Sequence, residues 1–320
     1  MPDMNMSAVS SHAGFVVKYL LSNWSLDLII TLPFIIVPSL LYFRGLKVAY
    51  RDQSEGRPLS VGADTQSVIM FMIGMFLMSV SFFTPVMYWS MVYLYMHMLI
   101  HVLVMIAVPP FIVGSKPWQI MRLGVPNRLD GAMDKLATIV SLEGPLASIM
   151  RFLTNPLLAL IYFIAVMWVW FYPPLMTYAV TNEYVMDLMH FTFITAGIGL
   201  FVHLIDNPPF PKRVGNPVIR LGMILVGTYS SFMLAMLLGL SSGPWFSVYS
   251  HIPGKTLSAM ADQQIAASVL WVLCMEPFVY TAYYNIKLWM SQSDAGEYNE
   301  PTPWLKRIKR PVVVPPGSQN

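Results

Sequence analysis

Tyr95-Met96-His97-Met98-Leu99-Ile100-His101 stands inside an apolar stretch that runs on to Pro109-Pro110. Side chains four residues apart share one face of a helix, so the two imidazoles project together. Imidazole is the commonest metal-ligating side chain. Burying an ionisable group in hydrocarbon is costly, and one found inside a membrane span marks a functional site by default. Fold and function therefore turn on whether this stretch spans a membrane and on what the two histidines meet there.

Composition answers the first question. Of 320 residues, 56% are hydrophobic and only 11% are charged, against about 25% charged in a soluble domain. The mean hydropathy is +0.59. So little polar surface excludes a water-soluble protein, and the lipid bilayer is the expected partner. No nucleic-acid partner is expected. Reading for about 20 apolar residues per helix predicts an all-α polytopic membrane protein with seven transmembrane helices. The spans fall at roughly 24–43, 66–88, 91–113, 154–173, 184–205, 218–240 and 264–289. Trp24, Tyr42, Tyr88, Trp89, Trp118, Tyr172, Tyr184 and Trp289 lie near their ends, where interfacial aromatics belong.

The cations then sort by side. Arg44, Lys47, Arg51 and Arg57 follow span 1, and Lys116, Arg122, Arg128, Lys135 and Arg151 follow span 3. Lys212, Arg213 and Arg220 follow span 5, and Lys287, Lys306, Arg307, Lys309 and Arg310 follow span 7. Only Lys18 and Lys255 fall in the alternate connections. The positive-inside rule puts the N-terminus outside and the C-terminus in the cytoplasm. Three regions result: an extracytoplasmic Met- and His-bearing tail over 1–23, a seven-helix membrane domain over 24–290, and a mobile cytoplasmic tail over 291–320. Residues 1–23 lack the basic and apolar regions of a cleavable signal peptide. In the cytoplasmic connection 114–153, Met133 to Val140 and Leu146 to Leu153 read as amphipathic surface segments. Pro109-Pro110 is expected to end span 3, and Pro33, Pro38 and Pro277 to kink spans 1 and 7. The single thiol, Cys274, reads as structural.

Orientation turns scattered residues into a site. Spans 3, 5 and 7 all enter from outside, bringing His97 and His101, then Met186, Asp187, Met189 and His190, then Asp262-Gln263-Gln264 to one leaflet. His251 lies in the outer loop, and Met1, Met4, Met6 and His12 lie in the outer tail, a possible capture arm. Imidazole with thioether suits copper, and thioether favours Cu(I). His97, His101 and His190, with Asp187 or a methionine in reach, make a three- or four-coordinate copper site. Each element also has a plainer use. Methionine fills gaps in apolar cores, and Asp262 can cap span 7.

Other chemistries fit less well. Gly254-Lys255-Thr256 lacks the leading glycine of a phosphate loop, since Tyr249 stands there. Lys287 lies too near a helix end for a retinal lysine. In a haem-binding cytochrome, His190 could pair with His97 or His101, but His203 has no partner at its depth. A copper permease needs a polar path onward, for which only His203 and Asp206 offer themselves.

The run Met96-His97-x-x-x-His101 before Pro109-Pro110 resembles the signature helix of the CtaG family of cytochrome c oxidase assembly factors. His190 with Phe191, Phe193 and Ala196-Gly197 resembles that family's second histidine helix, and Asp262-Gln263-Gln264 with Trp271 resembles its third motif. The similarity spans roughly residues 64–290. It implies a bacterial inner-membrane protein that helps mature a haem–copper terminal oxidase, without enzymatic activity of its own. By match to the motifs, His97, His101, His190 and Asp262 are the implied metal-site residues, with Asp187, Met189, Gln263, Gln264 and His12 as further candidates. Copper would be held in passing, haem is not expected, and a terminal oxidase subunit or periplasmic copper chaperone would be the partner. His203 and Met189 depart from the family pattern. Ligation requires ring nitrogens that converge to within about 4 Å.

Overall fold

The computed structural model describes residues 28–83, 85–139, 155–205, 217–250, 252 and 255–295. Among them the chain is helical, with no strand. In chain order the helices are α1 (Ile29–Ser54), α2 (Thr65–Phe83), α3 (Pro85–Ser90), α4 (Leu94–Gly114), α5 (Pro117–Gly124), α6 (Asn127–Ile139), α7 (Pro156–Trp170), α8 (Pro173–Thr181), α9 (Glu183–Leu204), α10 (Pro217–Gly239) and α11 (Ala259–Ala295). Six of them are long and apolar enough to cross a membrane, and α7 with α8 makes a seventh if the bent pair is one span. The protein is a multi-pass membrane bundle. Residues 1–27 and 296–320 and the Leu146 to Leu153 segment lie outside the described residues, as do His12 and His251, while 291–295 of the expected C-terminal tail form the end of α11.

Three departures from the expected spans have physical causes. The fourth breaks by 77° between Trp170 and Pro173. Pro173 and Pro174 carry no N–H, and a residue before proline is steered out of the helical region. Tyr172 accordingly sits at φ −69°, ψ 118°. Helix α1 does not stop near residue 43 but continues through Arg44, Lys47 and Arg51. Those turns pack on α5, where a Cβ on Gly124 would stand 1.8 Å from the Leu41 carbonyl oxygen and one on Gly45 would stand 1.8 Å from that of Ile120. Protein contact there takes the place of lipid, and a hydropathy window does not register it.

The third departure bears on the site. Pro109-Pro110 does not end span 3, because α4 passes through both prolines to Gly114. It does so by widening, with a π turn over Leu103–Ala107 that lets the Val108 N–H reach back to the Leu103 carbonyl. Pro109 offers no donor to the Met105 carbonyl and its ring would crowd that oxygen in a regular helix. A wider turn relieves the conflict. The first span holds a similar π turn over Leu32–Ile36, around its own prolines.

Met105 is also where α4 meets α9. A Cβ on Gly197 would lie 2.1 Å from the Met105 carbonyl oxygen and 2.8 Å from Pro109 Cγ. Only glycine permits that approach, and its Cα hydrogen is directed at the oxygen that proline left without a donor. The same two helices carry all three histidines of the predicted site. Toward the cation-bearing end, a cleft of about 900 Å³ opens among α1, α2, α4, α7 and α9, lined by apolar groups such as Phe34, Met75, Ile112 and Val202, with His203 among them.

Candidate metal site

Helix α4 begins at Leu94 after an extended Tyr93 whose own side chain supplies no cap. The first N–H groups of a helix need acceptors from elsewhere. Asp262, on α11, supplies both: Leu94 N donates to Oδ2 at 2.8 Å and Tyr95 N to Oδ1 at 3.0 Å. The same carboxylate pairs with Lys255 Nζ. Helix α9 starts from an Asn182 cap, whose side chain accepts from the Val185 N–H at 3.3 Å. These caps, together with the Gly197 contact, fix where His97, His101 and His190 come to lie.

The three imidazoles meet. Their relative exposures are 1% for His97, 3% for His101 and 1% for His190, which removes them from both water and lipid. Ring centres lie 4.4 Å apart for His97 and His101, 6.3 Å for His97 and His190, and 5.9 Å for His101 and His190. Phe82 stands edge-on to His190 at 5.3 Å, and Phe193 lies 4.3 Å from His101. An ion bound at about 2.0–2.1 Å from each ring nitrogen separates the centres of two ligating rings by roughly 5–5.5 Å. The observed separations bracket that value. As the rings stand, no group of three His, Cys, Asp or Glu among the described residues is arranged to hold a metal ion. Ligation therefore requires the rings to turn.

The polar atoms favour a ligand. His97 Nε2 and both ring nitrogens of His101 are buried without a hydrogen-bond partner among the described residues. Each such atom costs about 1–3 kcal/mol relative to a satisfied one. A cation that accepts a nitrogen lone pair would recover that cost at one nitrogen of each ring, and imidazole donors of this kind fit a copper ion.

The other predicted residues divide. Asp187 and Met189 are buried on α9, beside His190 in sequence. Asp262 has both oxygens committed to the α4 amides and Lys255, so the structure places it as the cap of α4 rather than within the imidazole group. Gln263 is equally engaged. Its Nε2 donates to Leu238 O at 3.0 Å and Ser241 Oγ at 2.7 Å, and its Oε1 accepts from Trp245 N at 2.7 Å. Gln264 is exposed and His203 lies in the separate cleft. Asp262 and Gln263 thus bind the α10–α11 connection to the top of α11.

That connection carries two residues that sequence reading missed. Tyr249 is buried over the cluster, its Oη 2.9 Å from His97 Nδ1 and 3.0 Å from the Ser90 carbonyl. Burial pushes its phenol well above the ordinary value, with the Asp262 carboxylate adding to the effect, so the group stays protonated. Lys255 donates to the Tyr249 carbonyl at 2.8 Å. A tyrosine and a lysine in a long irregular connection have no periodicity to give them away. Only the interruption of the charge pattern at Lys255 was visible.

Comparison with known proteins bears on the whole assembly. A family model described as cytochrome c oxidase caa3 assembly factor (Caa3_CtaG) matches residues 40–292. Among curated proteins, the uncharacterized protein Mb0105 of Mycobacterium bovis and the uncharacterized protein MT0111 of Mycobacterium tuberculosis are each 23% identical over 202 residues. The match covers 61% of this chain but only 30% of each of theirs. No solved structure matches. The family match takes in α2 through α10 whole and most of α1 and α11, including all three histidines and Asp262-Gln263, and on that ground the chain belongs to the cytochrome c oxidase caa3 assembly factor (CtaG) family.

Proposed function

We propose that this protein assists assembly of a haem–copper terminal oxidase by carrying copper, as cargo, on His97, His101 and His190. The observation behind the reading is the meeting of three buried imidazoles from α4 and α9, with nitrogens of His97 and His101 left without hydrogen-bond partners among the described residues. The Lys and Arg distribution supports an orientation with that cluster toward the outer side, which in a bacterial inner membrane is the periplasm. A periplasmic copper chaperone is then the natural donor and an oxidase subunit the natural recipient. The task is binding and release, with no catalytic step.

Charge favours Cu(I) over a divalent ion. The cost of burying an ion grows with the square of its charge. Asp262 is already neutralised by Lys255, which leaves Asp187 as the carboxylate closest in sequence to His190. Neutral imidazoles with at most one carboxylate suit a single positive charge. Haem fits less well, because the Gly197–Met105 contact closes the space between α4 and α9 that a porphyrin would need.

Purified protein titrated with Cu(I) against a chromophoric chelator tests the reading. The His97→Ala, His101→Ala double variant is expected to lose at least about tenfold in affinity. Equal copper retention by both proteins overturns the proposal.

A further inference from the structure

Tyr249 ends the short 3-10 turn Ser247–Tyr249, whose carbonyl at residue 249 is held by Lys255. Its hydroxyl meets two groups at once, the Ser90 carbonyl at 3.0 Å and His97 Nδ1 at 2.9 Å. A phenol has one proton to give, and a carbonyl can only accept. Were the proton given to His97, two lone-pair-bearing oxygens would face each other at 3.0 Å in a buried site. The arrangement that satisfies all three groups sends the phenol proton to Ser90 and the Nδ1–H of His97 to the phenol oxygen. His97 Nε2 is then the basic nitrogen, and it is the ring atom left buried without a hydrogen-bond partner among the described residues.

We infer that Tyr249 is the positioning residue of the histidine cluster: it holds His97 as the Nδ1–H tautomer and so presents the Nε2 lone pair to the space shared with His101 and His190. A partner on one ring nitrogen fixes the tautomer and orientation of the other, and loss of such a partner typically lowers metal affinity about 10–100-fold. The tautomer follows from the protein's own hydrogen bonds. Its consequence for copper rests on the proposed cargo role. Two measurements therefore keep the two ideas apart.

The first is made without metal. Full-length protein labelled with 15N-histidine, in detergent, is compared with Tyr249→Phe, which keeps the ring and removes only the oxygen. Wild type is expected to show His97 with a protonated Nδ1 and an unprotonated Nε2, and Tyr249→Phe is expected to lose that single-tautomer signature. Ser247→Ala, on the exposed side of the same turn, is expected to retain it. The second measurement is Cu(I) affinity, expected to fall about 10–100-fold in Tyr249→Phe. A proton found on Nε2 of wild-type His97, or a tautomer unchanged in Tyr249→Phe, overturns the inference. A tautomer lost as expected in a protein that binds no Cu(I) upholds Tyr249 as the positioning residue and removes the cargo role instead.

Discussion

At Asp262 one fully buried carboxylate serves two N–H groups of α4 and the ammonium of Lys255. The helix it caps is not its own, so the cap also sets the height of α4 against α11. Removing one member of a buried charge pair costs about 3–5 kcal/mol, because the other charge is left unpaired. Asp262→Asn is expected to lower the thermal midpoint strongly. Lys255→Met should lower it less, since two amides still satisfy the carboxylate. A double-mutant cycle read by denaturation in detergent should give a coupling of about 1–3 kcal/mol. Strict additivity would contradict this account. Sequence alone suggested either a cap or a ligand for Asp262, and it pointed to the wrong helix for the cap, because the acceptor's target lies 168 residues away.

Helix packing places the imidazoles, and at Gly197 the backbone of α9 comes into close contact with that of α4 at Met105. A methyl group at that position meets a backbone carbonyl, which cannot swing aside as a side chain can. Overpacking of this kind costs about 1–3 kcal/mol. Gly197→Ala is expected to lower the thermal midpoint and weaken Cu(I) binding, since the helices must part below His101 and His190. Gly199→Ala is the matched control, because a Cβ there enters open space. Equal midpoints for the two variants would show that the close contact does not position the site. The histidine pairing on α4 was legible because four-residue spacing survives any packing. The π turn was not, because it arises from the conflict between Pro109 and the Met105 carbonyl within a helix that otherwise reads as regular. Tyr249 was hidden for a different reason: its role depends on a connection folding back over α4.

For the whole molecule, the apolar runs made the order of the spans legible, and their number as far as the bent α7–α8 pair allows: six helices, or seven if that pair is one span. Their ends were less so. Helix α11 runs for 37 residues, about 55 Å of helix against a hydrocarbon core of about 30 Å, so it is longer than the core it would cross. Orientation rests on the Lys and Arg distribution and is testable by thiol labelling, for which buried Cys274 gives a quiet background. A cysteine at exposed Ser242 is expected to react with an impermeant maleimide from the periplasmic side. One at exposed Gly131, on α6, should react only after the membrane is opened. The reverse pattern would invert the bundle and move the histidines to the cytoplasmic face.

That quiet background has a meaning of its own. The chain has one sulfhydryl group, and it is 2% exposed within α11. The imidazole cluster draws on no sulfhydryl; a lone cysteine cannot form a crosslink within the chain, and a mixed one with a small thiol cannot form without first opening the bundle. The imidazoles themselves should therefore be indifferent to swings in the oxidising power of their surroundings, unlike a Cu(I) cargo, whose oxidation would add the second charge that the buried site disfavours.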